Sequence, residues 1–343
     1  MIKQTGNIPS YPKPEDYVLG GETAVQMTAR VDTGDWTPYL PTTEKQHGIT
    51  FDTLSCTSFS FCNLIETQMN CLLKNNQIPQ EQVEWLKLKG YIDDTNTVNF
   101  SDRFLAITSG TKKIGNDFRT VAETARTKGL IPDMMFPFGG STWDGYHNKN
   151  LITKEMEDTA VEFITKFDIK WQWVFFDQDP KMSDDNFKAS IEALKTAPLQ
   201  IGIPTPATHA TSLVALSNFR AKVFDTYEPF LFENTPDAYQ IHFALMPVVT
   251  VKDQPKPVLY PKVTFSIILK YGMRNNAQVK QWQEFLIAEK LLAVELNTGN
   301  FFDKTLMATR NFQMKYGIEP VGQVGPKTRA IANGIISKKA LGK

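Results

Sequence analysis

The apolar residues of this chain obey one rule early and another later, and that switch constrains the fold more than any other feature. After Cys56, residues Phe61, Leu64, Ile65 and Leu72 fall on one face at helical spacing, which predicts a helix. Helical patterns recur over 80–90, 116–129, 152–166 and 185–196, the second closing at Gly129 of "KGLIP" as a C-cap. Then the runs shorten. "PLQIGIP", "ATSLVAL", "AKVFDTY" and "YQIHFALMPVV" are apolar or alternating stretches broken by Pro, Asn and Asp, the pattern of strands. Helices first and strands second predict an α+β domain with segregated halves.

A third change follows. "VKDQPKPVLYPK" reads as a stiff, proline-bearing connection, and residues 277–337 return to helical spacing. Val279, Trp282, Phe285 and Leu286 make one stripe, and Leu306, Thr309, Phe312 and Tyr316 make another. Gly322, Gly325 and Pro326 mark the entry to a third helix. A chain of 343 residues is long for one core. The predicted division is an N-terminal arm over 1–30, a main domain over 31–250, a linker over 251–264 and a small three-helix bundle over 265–343.

Composition removes several classes of function. Lys plus Arg and Asp plus Glu both number 37, so no excess positive charge points to a nucleic-acid partner. No apolar run is long enough for membrane insertion, and the polar, proline-bearing opening carries no hydrophobic signal region. No HExxH or close His/Asp cluster points to a catalytic metal, and no cofactor is expected. Cys56, Cys62 and Cys71 are an odd set without CxxC spacing, which disfavours disulfides and a cysteine zinc site. Free thiols in a chain made in a reducing cytoplasm are the expectation.

Cys56 differs from the other two cysteines. Ser55 is placed to cap the helix, putting the thiol in the first turn, where unpaired amides and the helix dipole favour a thiolate. Cys62 and Cys71 lie further along and read as small core residues; Cys56 is either a third such residue or a nucleophile. A nucleophile needs a base, and the base an orienting group. Among four histidines, His209 opens a strand-like run behind a Pro- and Thr-rich loop. Asp225 ends the next strand. Neighbouring antiparallel strands can bring the two together as base and orienter.

Around these residues the sequence resembles the papain family of cysteine peptidases. "CTSFSFCNLIE" is similar to the family's nucleophile segment at Cys56, Phe59, Ser60 and Glu66, with Thr57 replacing an aromatic residue. "ALKTAPLQIGI", "HATSLVAL" and "DTYEPF" resemble the segments before, at and after the family histidine, and "GNDFRTVAETARTKGLIPDMMFPF" its middle segment. The order is the family's over roughly 200 residues, and the interval from Cys56 to His209 is near its usual span of about 130–150. The resemblance implies a papain-like two-lobed domain, with a helical lobe and an antiparallel β lobe. Its catalytic set would be Cys56, His209 and Asp225, with Asp225 standing for the family's Asn and raising the pKa of His209. Gln46 would be the oxyanion donor, because Thr50 occupies the family's usual glutamine position. Gly115 and Asn116 would line the substrate wall, with the ordinary turn as the alternative, and Tyr227 stands where the family has Trp. The implied partner is a peptide or protein substrate.

The C-terminal stretch resembles a peptidoglycan-binding domain found beside wall-lytic enzymes. The matching positions include Val279, Trp282, Gln283, Gly299, Thr305, Phe312, Gln313, Gly317, Gly322, Gly325 and Thr328. "LAVELNT" is longer than usual there, and Thr298 replaces a common Asp. This resemblance implies peptidoglycan binding by residues 265–343. Together the two imply a peptidase directed to the bacterial cell wall, as in a bacteriophage lysin or a virion-associated enzyme. The alternative is a non-catalytic wall-binding or virion structural protein that keeps the peptidase fold.

Overall fold

The computed structural model describes residues 6–19, 24–25, 28–176, 182–203, 209–217, 220–234, 241–252 and 260–340. The middle of the expected linker lies outside the described residues, as does part of the expected arm. The chain divides into two compact units, Met1–Lys252 and Asp253–Lys343.

The first unit is an α+β fold of two lobes. Its helical lobe holds α1 (Cys56–Lys74), α2 (Gln80–Lys89), α3 (Asp102–Thr108), α4 (Phe118–Lys128), α5 (Trp143–Tyr146) and α6 (Lys154–Lys166). The sheet lobe holds β1 (Phe167–Phe176), helix α7 (Asp184–Thr196), β2 (Leu199–Ile203), β3 (His209–Ser217), β4 (Arg220–Phe224), β5 (Leu231–Asn234) and β6 (Phe243–Val251). These strands run in the order β1-β6-β2-β3-β4-β5, every neighbouring pair antiparallel.

Strand β1 departs from the expected order of helices first and strands second. It follows α6 directly, and its alternation of Phe167, Ile169, Trp171 and Trp173 with Asp168, Lys170 and Gln172 turns the aromatic rings onto the helical lobe. Helices α3 and α5 are additions too. Both are short, and local side-chain caps at Ser101 and Thr142 define their starts.

Helix α1 is buried on every side rather than along one stripe. It packs against β3 and β6 on one flank and α3 and α4 on the other. Its polar side chains therefore need partners in the interior, and three of them, Glu66, Gln68 and Asn70, find backbone. Gln68 donates to Pro247 O at 2.9 Å and accepts from Val249 N at 3.1 Å. Glu66 accepts from Phe100 N at 2.7 Å, and Asn70 from Val98 N at 2.8 Å. The helix is thereby fixed in rotation as well as position.

The second unit holds α8 (Ala277–Ala288), α9 (Asp303–Lys315) and α10 (Pro326–Ala340) around Phe265, Trp282, Phe285, Phe301 and Phe312. Two buried glutamines repeat one device. Gln283 accepts from Gly299 N at 2.7 Å and donates to Thr305 Oγ1 at 2.8 Å. Gln313 accepts from Gly322 N at 2.8 Å and donates to Thr328 Oγ1 at 3.0 Å. Each ties a left-handed glycine to the first turn of the next helix, with φ of 75° at Gly299 and 81° at Gly322. The motif positions named above are framework.

Candidate active site

Cys56 is the first residue of α1, and Ser55 is its N-cap position. The side chain of Ser55 does not cap, contrary to expectation. Its hydroxyl donates to Thr53 O at 3.1 Å and lies 3.5 Å from His147 Nε2, because the loop before the helix needs that hydroxyl to hold its own turn. No side chain caps the helix end, and the Ser58 and Phe59 amides donate to Ser55 O at 2.8 and 3.1 Å.

The base arrives from the sheet. Gln200 on β2 donates to Thr57 O and Ser60 Oγ, both at 2.8 Å, and Ser60 Oγ donates to Cys56 O at 2.7 Å. Helix α1 is thus pinned to β2 at the level of the thiol. Next to β2, β3 opens with His209. The Ala210 amide donates to Cys56 Sγ at 3.4 Å.

Strand β4 pairs with β3 so that Ser212 lies opposite Phe224, and Asp225 follows immediately. His209 Nε2 lies 2.7 Å from Asp225 Oδ1, which also accepts from Thr226 N at 2.7 Å. With Nε2 committed to Asp225, Nδ1 is the ring nitrogen left to interact with the Cys56 sulfur. Burial disfavours the imidazolium, but the Asp225 carboxylate and the Cys56 sulfur outweigh it and push the His209 pKa up to about 10. That is the direction a carboxylate in place of an amide implies.

Gln46 is buried beside this pair. Its Oε1 accepts from Thr226 Oγ1 at 2.7 Å, while Nε2 donates to Tyr227 Oη at 2.9 Å and Asp52 Oδ1 at 3.1 Å. The amide protons are therefore already engaged, and an oxyanion would have to draw one of them away. Asp52 is the hub that sequence reasoning missed: it also accepts from Leu54 N at 2.7 Å and from the Tyr227 hydroxyl. Its signal was its place four residues before Cys56, in the loop that must aim the helix. Tyr227 lies with His47 stacked on it at 5.5 Å and His209 tilted against it at 5.5 Å.

Gly115 and Asn116 stand on the other side of Leu54, with residues 6–8 between. His147 follows α5 directly. It is buried, stacks on Trp143 at 4.1 Å and bonds Thr53 O at 2.9 Å, and burial lowers its pKa, so it supports the loop as a neutral ring. Cys62 and Cys71 are buried within α1, and burial raises the pKa of both thiols. Among the described residues no three His, Cys, Asp or Glu side chains are grouped to hold a metal ion.

No protein-family model matches the chain, and no curated protein matches it in sequence. Solved structures similar to it in shape include xylellain, a cysteine protease from Xylella fastidiosa, at 12% identity, covering 73% of this chain and 96% of that one with a TM-score of 0.43. Digestive procathepsin L 3 of the Tenebrio molitor larval midgut matches at 12% identity over 71% and 76%, with a TM-score of 0.41. A Carica candamarcensis cysteine protease in complex with E-64 matches at 11% identity over 62% and 96%, with a TM-score of 0.40. Likeness this distant carries no function, and the chemistry rests on the side chains described above.

Proposed function

We propose that the chain is a papain-like cysteine peptidase that hydrolyses peptide bonds by thiolate attack and is directed to the bacterial cell wall by residues 265–343. The observation that carries the peptidase reading is the His209–Asp225 contact of 2.7 Å beside a thiol at an uncapped helix start. In this reading Cys56 and His209 form a thiolate–imidazolium pair, with Asp225 fixing the ring. The sulfur attacks the carbonyl carbon, and the oxyanion takes the Cys56 amide and one proton of Gln46. His209 then gives its proton to the leaving amine, and water releases the acyl group from sulfur.

Wall binding is supported by the resemblance of the second unit, whose matching residues build its frame. A cavity of about 700 Å³ bounded by Tyr316, Ile318, Val321, Gln323, Thr328 and Ile331 is of a size that holds a ligand. Tethering would raise the local substrate concentration without new catalytic contacts.

The complete burial of Cys56 and the engaged Gln46 amide favour a second reading, a wall-binding or virion structural protein with an inert site. Purified protein mixed with bacterial sacculi separates the readings. The proposal expects the protein to pellet with the walls and to release free amines, with release abolished in Cys56→Ala. Pelleting without release supports the inert protein, and failure to pellet removes the wall assignment.

A further inference from the structure

We propose that the cavity walled by Glu44, Asp102, Asp133, Phe59, Phe138 and Tyr146 binds an organic cation, a primary ammonium on an apolar stem. The space measures about 340 Å³, and none of Cys56, His209 and Asp225 lines it. Phe138 is exposed at its rim, whereas Phe59, Asp102 and Tyr146 are buried. The site goes beyond the peptidase reading, and neither depends on the other.

Two buried polar groups on its wall have no hydrogen-bond partner. Asp102 is 4% exposed and Tyr146 0% exposed, and neither Asp102 Oδ1 nor the Tyr146 hydroxyl is bonded. Such atoms are uncommon in a folded interior and mark a place for a partner. Local structure explains the carboxylate. Ser101 and Asp102 open α3, and it is Ser101 Oγ that accepts from Phe104 N, at 3.1 Å. The cap is taken, so Asp102 has no backbone amide to hold.

The charge around the cavity is also unbalanced. Burial, and then the Glu44 carboxylate, push the pKa values of Glu66, Asp102 and Asp133 up, the last to about 7. Two cations line the cavity, and both are committed elsewhere. Lys45 Nζ lies 2.7 Å from Glu228 Oε1. Arg103 donates from Nε to Tyr146 O at 2.8 Å and from Nη2 to Gly145 O at 2.9 Å. An entering ammonium brings the compensating charge, with three donors for Asp102, Asp133 and the Tyr146 oxygen.

A metal ion fits less well. Among the described residues no three His, Cys, Asp or Glu side chains are grouped to hold one. The rings of Phe59, Phe138 and Tyr146 offer an apolar wall for an alkyl stem, and a ring face attracts an ammonium. That chemistry is carried by a free alkylamine and by a lysine or other diamino acid in a peptide.

The test is calorimetric titration of the full chain with n-butylammonium chloride at about pH 8, above the Asp133 value of about 7. 1-Butanol is the uncharged control of the same length. Saturable binding of the amine and none of the alcohol is expected, weakened about tenfold or more in Asp102→Asn. Asp133→Asn, at a half-buried position, should weaken it in the same direction, and it keeps the test open if Asp102→Asn fails to fold. Nα-acetyl-lysine methylamide separates the two sources: binding tighter than butylammonium assigns a peptide-borne amine, and weaker binding a free one. Absence of saturable amine binding overturns the site. So does equal binding of the alcohol, or an affinity unchanged in both variants. No arm of the titration needs hydrolysis, so the peptidase can fail while the site stands, and the reverse.

Discussion

Gln200 reaches from β2 to the first turn of α1 and donates to the Thr57 carbonyl at 2.8 Å. The same amide holds Ser60 Oγ, so one buried side chain sets the height of the thiol above the strand that leads into His209. Two chain segments far apart in sequence meet at the site through this contact.

Replacing Gln200 by Leu would leave the Ser60 hydroxyl and the Thr57 carbonyl without their partner in a dry interior. Each such loss costs about 1–3 kcal/mol. The expected outcome is a drop of roughly 2–4 kcal/mol in unfolding free energy by urea denaturation, with peptide hydrolysis falling as well. A drop below about 0.5 kcal/mol would show that the helix is seated by packing alone.

Asp225→Asn should lower the His209 pKa from its value of about 10, since an amide cannot stabilise the imidazolium as a carboxylate does. The folded value exceeds the unfolded value of about 6.5. The stability it brings is therefore full below about pH 6.5 and is lost as pH rises towards 10. Denaturation midpoints across that window should slope downward in the native chain and less so in Asp225→Asn. Equal slopes would separate His209 from Asp225.

Asp133 gives the opposite sign. Burial, and then the nearby Glu44 carboxylate, push its pKa up to about 7. Ionising it strains the folded state, so stability should fall as pH rises from about 4 to 7. Asp133→Asn should flatten that fall. A native chain with no such slope would place Asp133 in water.

In the second unit, Gln313→Ala strands the Gly322 amide and the Thr328 hydroxyl. Thermal unfolding of the full chain should show the transition of that unit lowered, by about 1–3 kcal/mol, with the first unit's transition unchanged. A shift in the first transition instead would contradict two separate cores.

The sequence made the strands β2, β3, β4 and β6 legible because each is a short apolar run closed by a breaker, and α2, α4, α6 and α7 because their stripes are amphipathic. It hid β1, whose alternation abuts a helix with no loop to separate the two. For the candidate site, Cys56, His209 and Asp225 were readable from their places at element ends, and the structure brings them together. Asp52 and His147 were not, because their partners are backbone groups and a tyrosine that come near only through the tertiary fold.

In the proposed peptidase the Cys56 sulfur reacts as an anion because His209 holds the compensating proton. It is tested by the neutral-pH alkylation rate of Cys56 in the native chain and in His209→Ala. The account predicts a fall of about tenfold or more when the ring is removed. An identical rate in the two proteins would contradict it.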